Sequence, residues 1–259
     1  MKAHNSSNSF KKGEYKPEDG AISGTCHKQP DQKFTETVVE AYAKTAYANP
    51  LNPDAFPGIR KMEAEVVRIA CNLFHGHPDT SCGTMTSGGT ESLILACKAY
   101  RDYGKKVKGI TKPNIVMPTS GHVGIEKAAH LMNMEIKYVP LASDLMPDMQ
   151  AFQAQIDKNT VMLVASAPQY PQGLIDPIEA IGQLALKYDI PFHVDACLGG
   201  FLLAFAEKCD LDVQAFDFKV PGVTSISADT HKVKLLKSRQ NECFTIFFHS
   251  LAMLPRDQV

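Results

Sequence analysis

The sequence carries no excess of charge, no long apolar run and no closely paired cysteines. Its 27 basic and 28 acidic residues leave a formal net charge of -1 and a pI near 6.7, with no basic stripe interleaved with aromatics. Such a balance lacks the electrostatic footprint that phosphodiester backbones need, so nucleic acid is not an expected partner. No run approaches the roughly 18 uninterrupted apolar residues of a membrane span, and no transmembrane segment is expected. The nearest candidates, ACLGGFLLAFA after Asp195 and CFTIFFHSLAML near the end, read as buried segments. The start, MKAHNSSNSFKKGEY, lacks the apolar centre of a secretory signal. Cys26, Cys71, Cys82, Cys97, Cys197, Cys209 and Cys243 form no C-x-x-C pair, and several sit in apolar runs. That usage fits a reducing compartment, and cytoplasmic is the expected localisation.

What is present is ample apolar material: 44% of 259 residues, enough for one large core or two small ones. Residues 1–33 are polar and aperiodic and read as a mobile arm. From Phe34 the pattern turns helical, then NPLNPDAFPG (Asn49 to Gly58) must be an extended or turning loop, because Pro50, Pro53 and Pro57 punctuate it. Ile59, Met62, Val66, Ile69, Ala70 and Leu73 recur at helical spacing, and this stripe is expected to pack on a sheet. Beyond it short apolar runs (NIVMP, EIKYVPL, VMLVASA, PFHVDA, VTSISAD) alternate with helical patterns. Alternation of that kind predicts an α/β fold: a mostly parallel sheet covered on both faces, with its chemistry where strands end and helices begin.

Three stretches carry candidate chemistry. In TSGGTES, Gly88, Gly89 and Thr90 stand between a short strand and a helix. Backbone N–H groups at such a helix start can cradle a phosphate, and a plain turn and cap explains the same residues equally well. In FHVDACLGG, His193 and Asp195 share one face of a strand by its period of two. A buried carboxylate there needs a partner: a helix cap, a core hydrogen bond or a protonated ring nitrogen of a cofactor. Lys232, in SADTHK, is by itself a solvated surface lysine. Together the three match what a pyridoxal-phosphate enzyme must supply: a lysine, an acid opposite the pyridinium nitrogen, and a phosphate cradle. Cys71, His75, His77 and Cys82 lie close in sequence but fit no recognised zinc-ligand spacing, and a helix end followed by a turn accounts for them.

The stretches NPLNPDAFPGIRKMEAEVVRIACNLF, GTMTSGGTESLILACKAYRD, KYDIPFHVDACLGGFLLAF and FDFKVPGVTSISADTHK make the resemblance specific. From about Asn49 to Lys232 the chain resembles the sphingosine-1-phosphate lyase family, pyridoxal-phosphate enzymes of group II decarboxylase type. The resemblance implies the large domain of the aspartate-aminotransferase-like fold over residues 34–232, incomplete at its C-terminus. It makes Lys232 the Schiff-base lysine, Asp195 the partner of the ring nitrogen and His122 (in SGHVGIEKAA) the ring-stacking histidine. Gly88, Gly89, Thr90 and His231 would bind the pyridoxal 5'-phosphate phosphate group, with Ser227 nearby. The implied reaction cleaves the C2–C3 bond of a sphingoid base phosphate to a fatty aldehyde and phosphoethanolamine, in a homodimer. Burial and cationic neighbours are expected to help Lys232 shed its proton. Alternatives are an amino-acid decarboxylase, or an inactive truncated form that pairs with or competes against a complete lyase. Animal members are held on the endoplasmic reticulum by an amino-terminal anchor, which this sequence is not read to contain.

Two departures from the family bear on the site. Its proline-rich loop has His in NPLHPD, where this chain has Asn52, an amide that cannot titrate near neutrality. After Lys232 the family continues YGYAPKG and then a strand, whereas residues 233–259 read as a non-family tail. That strand occupies a central slot between the strands preceding TSGGT and SADTHK. An empty slot would strand backbone groups at roughly 1–3 kcal/mol each. The aromatic and β-branched run Cys243 to Ser250 is the candidate to fill it; otherwise the tail is unpaired and prone to aggregate.

Overall fold

The computed structural model describes residues 32–232 and 251–255. Residues 1–31 of the polar arm and the run Cys243 to Ser250 lie outside the described residues. The chain forms two compact units: α1 (Gln32–Thr45) belongs to one, and everything described from Asn49 onward to the other.

In the second unit α2 (Pro57–Leu73) starts at a proline, whose missing N–H costs nothing in a first turn. Its packed face is Val67, Ala70, Cys71 and the following Phe74, spaced three and four apart. This corrects the expected stripe: Met62 is 53% and Ile69 62% exposed. The helix is apolar on two adjoining faces, and only one of them meets the sheet.

The remaining elements alternate: β1 (Ser81–Met85), α3 (Gly89–Val107), β2 (Asn114–Pro118), α4 (Val123–Leu131), β3 (Glu135–Val139), α5 (Met149–Gln155) and β4 (Thr160–Ser166). They continue with α6 (Ile178–Tyr188), β5 (Phe192–Asp195), α7 (Gly200–Leu203), β6 (Val223–Ala228) and β7 (Leu251–Pro255). The seven strands lie in the order β1-β7-β6-β5-β4-β2-β3. All pairings from β6 through β3 are parallel. The slot between β1 and β6 is filled by β7, antiparallel to both, with Ser227 opposite Ala252 and Gly83 opposite Met253. The expectation of a tail strand is met in place, but the paired residues are Leu251–Pro255, directly after the run expected to supply them.

Each face of the sheet has its own core. Val116, Leu163, Ala165, Phe192, Val194, Ile226 and Ala228 point to one side, against α2, α5 and α6. Ile115, Met117, Met162 and Val164 point to the other, against Leu93, Ala96, Cys97 and Tyr100 of α3 and Ile125 and Ala128 of α4. At Gly104 α3 passes so close to β4 that an added Cβ would lie 2.5 Å from the Val161 side chain. By strand alternation His193, Asp195, Ser225 and Ser227 face the α3 side. Among the described residues no helix is long and apolar enough to cross a membrane.

Candidate active site

The C-terminal ends of β4, β5 and β6 and the start of α4 surround a small pocket lined by His122, Ser166, Pro168, Tyr170, Asp195, Cys197, Leu198 and Lys232. This is the place where parallel sheets gather their ligands. Three residues singled out in the sequence, His122, Asp195 and Lys232, therefore meet in one site although 110 positions of chain separate the first from the last.

Asp195 ends β5, is buried, and accepts from the Cys197 backbone N–H at 3.1 Å. Its other approach on the same oxygen is the Ser227 hydroxyl at 3.5 Å. The pocket side of the carboxylate is thus left for a ligand. His122 caps α4, its Nδ1 accepting from Gly124 N–H at 3.0 Å, so the neutral ring carries its proton on Nε2. Its ring meets Tyr170 edge-on, with centroids 6.0 Å apart. This histidine is at once a helix cap and a wall of the pocket.

Lys232 follows β6 in a single turn of 3-10 helix, Thr230–Lys232, and its Nζ lies 2.8 Å from Asp229 Oδ2. Burial alone pulls its pKa down, but the hydrogen bond and charge of Asp229, with Cys197 and Asp195 behind it, outweigh that and raise it. The expectation of cationic neighbours is corrected: the lysine is held as an ammonium among acids. The same Asp229 carboxylate reaches the glycine turn, since a Cβ on Gly89 would lie 2.8 Å from its Oδ2. Only a glycine lets that carboxylate approach the first turn of α3. Gly88 has open space around it, and Glu91 closes the turn by accepting from Ser87 N–H. Thr90 stands in the same first turn, half-buried.

Ser227 is fully buried and joins the Asp195 side of the site through His193 and Cys197. The His231 side chain lies outside what is described. Asn52 lies in the proline-rich loop, where its carbonyl accepts from Ala55 and Phe56 N–H. Of the residues weighed for zinc, His75 pairs with Asp217 at 2.7 Å and His77 accepts from Asp79 N–H.

Sequence reasoning passed over three residues here. Asp229 stands three positions before Lys232, a spacing that brings side chains together on a helical turn. Cys197 is buried beneath the site, where burial first, then Asp195 and Asp229, pushes its thiol well above the ordinary range. Asp176 accepts from Ser166 N–H at 2.6 Å and Gln169 Nε2 at 2.6 Å, and so ties the end of β4 to the loop beyond it. Burial, opposed by those two hydrogen bonds and aided by the Asp195 charge, raises Asp176 to about 6.

The family model for the pyridoxal-dependent decarboxylase conserved domain matches residues 23–256. The chain belongs to that family. The match runs past Lys232 and through the paired tail strand, further than the resemblance read from the motifs. The chain is 54% identical over 216 residues to sphingosine-1-phosphate lyase 1 of Rattus norvegicus, covering 83% of this chain and 38% of the relative. With the sphingosine-1-phosphate lyase of Drosophila melanogaster it shares 51% over 225 residues, 86% of this chain and 41% of the relative. It thus spans about two fifths of the length of these relatives. The solved sphingosine-1-phosphate lyase of Burkholderia pseudomallei superposes with a TM-score of 0.79 at 35% identity, covering 92% of this chain and 55% of that one.

Pyridoxal phosphate is the cofactor of this family, and the donor set fits it. An amine, a buried carboxylate and an imidazole line one pocket, and a glycine turn opens α3 beside the lysine's partner. The cavity among them is only about 10 Å³, room for about one water.

Proposed function

We propose that this chain carries the cofactor-binding part of a carbon–carbon lyase that acts on sphingoid base phosphates, releasing a fatty aldehyde and phosphoethanolamine. The observation that carries the reading is the meeting of Lys232, Asp195 and His122 in one pocket at the C-terminal edge of the sheet. Identity of 54% to a sphingosine-1-phosphate lyase supports this substrate over an amino acid.

Bound pyridoxal phosphate supplies a sink for the electron pair released when a bond to C2 of the substrate breaks. The chain's own residues prepare that chemistry. Lys232 Nζ would hold the cofactor, and to do so it must give up a proton, for which Asp229 Oδ2 at 2.8 Å is the nearest acceptor. Asp195 would keep the ring nitrogen protonated, a role that demands an ionised carboxylate with one side free. His122 would cover the ring, and Gly88, Gly89, Thr90 and His231 would receive the phosphate, where backbone N–H groups and the α3 dipole favour an anion.

The working unit in this reading is a homodimer. Leu51, Met62 and Ile69 are exposed apolar side chains within one unit, and a second copy would cover them. Sedimentation equilibrium giving twice the chain mass supports the dimer, and a concentration-independent monomer opposes it. The cytoplasm is the proposed location.

Purified protein supplied with pyridoxal phosphate should turn yellow, and should release fatty aldehyde from a phosphorylated sphingoid base but no carbon dioxide from amino acids. Colour with no aldehyde would favour the cofactor-binding but inactive form, and colour with carbon dioxide release the decarboxylase.

A further inference from the structure

Beneath the pocket a line of polar side chains crosses the α3 face of the sheet. Tyr100 Oη of α3 lies 2.7 Å from Ser225 Oγ and 2.6 Å from Thr224 Oγ1. Ser225 Oγ lies 2.7 Å from His193 Nδ1, and His193 Nε2 lies 3.1 Å from Ser227 Oγ. Ser227 Oγ then stands 3.5 Å from Asp195 Oδ1 and 3.3 Å from the Cys197 thiol. His193, Ser225 and Ser227 have no exposed surface, and Tyr100 has 1%.

The protons on this line can be counted. An ionised Asp195 only accepts, so the Ser227 hydroxyl donates to it, and Ser227 must accept from its other neighbours. Those are the Cys197 thiol and His193 Nε2, which therefore carries the imidazole proton. Nδ1 is then the acceptor for the Ser225 hydroxyl, and Ser225 accepts from Tyr100 Oη–H. Ser227 Oγ accepts two protons and gives its own, Tyr100 Oη gives its one proton to Ser225 and accepts from the Thr224 hydroxyl, and the order of protons is set by the charge at one end. A cationic imidazole would break it, and burial drives the His193 pKa down to about 4 despite the Asp195 charge, which keeps the ring neutral.

We infer that His193 is a positioning residue: as the Nε2–H tautomer it turns the Ser227 hydroxyl onto Asp195 and keeps that carboxylate aimed into the pocket. The inference rests on the cofactor reading of the site. Through Tyr100 the line also ties Asp195 to α3, the helix that begins at the Gly89 turn. The two ends of the expected cofactor, ring nitrogen and phosphate, are in this way registered against one another.

Two substitutions separate this role from bulk support of the core. In His193→Gln the amide nitrogen reaches the place of Nε2 and can still donate to Ser227. In His193→Asn it reaches only the place of Nδ1 and leaves Ser227 without its donor. Neither side chain titrates. With melting temperatures of both variants recorded to confirm folding, the affinity for pyridoxal 5'-phosphate is measured by equilibrium dialysis. The Asn variant should bind about tenfold more weakly than the parent chain and the Gln variant within about threefold of it. Equal losses in the two overturn the inference. Should either variant fail to fold, long-range nitrogen-15 spectra of the unaltered chain decide: a neutral Nε2–H tautomer supports the inference, an Nδ1–H tautomer overturns it. Parent protein that binds no pyridoxal phosphate brings down the functional reading instead, and the tautomer spectrum then still decides the proton order alone.

Discussion

The two faces of the sheet are equally buried and differently built. Against α2, α5 and α6 every strand from β2 to β6 presents apolar side chains, among them Val116, Leu163, Phe192 and Ile226. Against α3 and α4 the apolar pattern holds at β2 and β4, through Ile115, Met117, Met162 and Val164, and then gives way at β5 and β6 to His193, Asp195, Ser225 and Ser227. A buried polar group left unmet costs roughly 1–3 kcal/mol, so a face built for stability alone would carry on as β2 and β4 do. The polar half is instead hydrogen-bonded throughout and terminates at the pocket. One face holds the domain together, and the other half-face is organised around a single carboxylate.

Substitution at the two ends of β5 should break the two roles apart. Phe192→Ala, on the apolar face, should cost about 3–5 kcal/mol of stability in a denaturant titration, with the folded fraction binding cofactor as before. Asp195→Ala, on the polar face, leaves the Cys197 N–H and the Ser227 hydroxyl without their acceptor and should cost the smaller sum of about 1–3 kcal/mol, yet lose pyridoxal phosphate by on the order of a hundredfold in dialysis. Comparable destabilisation by both would erase the distinction between the faces.

Acid should sharpen it, because only the polar half titrates. His193 falls from 6.5 to about 4 on folding, so the folded state favours its neutral form. The stability it contributes is complete above pH 6.5 and is lost as pH falls toward 4, by about 3 kcal/mol in all. Asp176 runs the opposite way: its pKa rises from 3.8 to about 6, so its contribution is present at low pH and lost as pH climbs through 6. Urea melts at intervals from pH 7 to 4 should show His193→Gln gaining on the parent chain as acid is added, and Asp176→Asn falling behind it.

At the glycine turn the expected effect is smaller. Gly89→Ala places a Cβ 2.8 Å from Asp229 Oδ2, and the carboxylate must retreat from Lys232 or the turn must open. Cofactor affinity should drop about tenfold, about 1.4 kcal/mol, in the same dialysis assay. The smallest effect belongs to the far end of the polar line. Tyr100→Phe removes one buried hydroxyl and its two contacts, to Ser225 and Thr224, each worth about 1 kcal/mol, and should lower the melting temperature while leaving cofactor affinity within about twofold.

Much of this is legible in the sequence because period-two and helical patterns alternate from Ser81 to Asp195. The strand and helix order, the parallel sheet and the strand-end location of Asp195 follow from that pattern. Lys232 and Gly89 join it only through what a pyridoxal-phosphate enzyme must supply and the family resemblance that follows, since a lysine on a turn and a Gly-Gly pair are individually commonplace. Three things escaped. The packed face of α2 was misjudged because Met62 and Ile69 are as apolar as Val67 and Phe74, and sequence does not say which side of a doubly apolar helix meets the sheet. The β propensity of Phe244, Ile246 and Phe248 points to a run that lies outside the described residues, whereas the strand seen in the slot is Leu251–Pro255, whose propensity is weaker. Asp229 went unremarked because its importance lies in distances to Gly89 and Lys232 that only the folded turn creates.

The central claim is that Lys232 and Asp195 serve one cofactor. Incubating the protein with pyridoxal 5'-phosphate, reducing with borohydride and mapping the fixed label by peptide mass spectrometry tests it directly. The account predicts one pyridoxyl group per chain, on the peptide containing Lys232, in markedly lower yield when Asp195 is replaced by Ala. Label spread evenly over surface lysines such as Lys98 and Lys187, with Lys232 no more modified than they are, would contradict it.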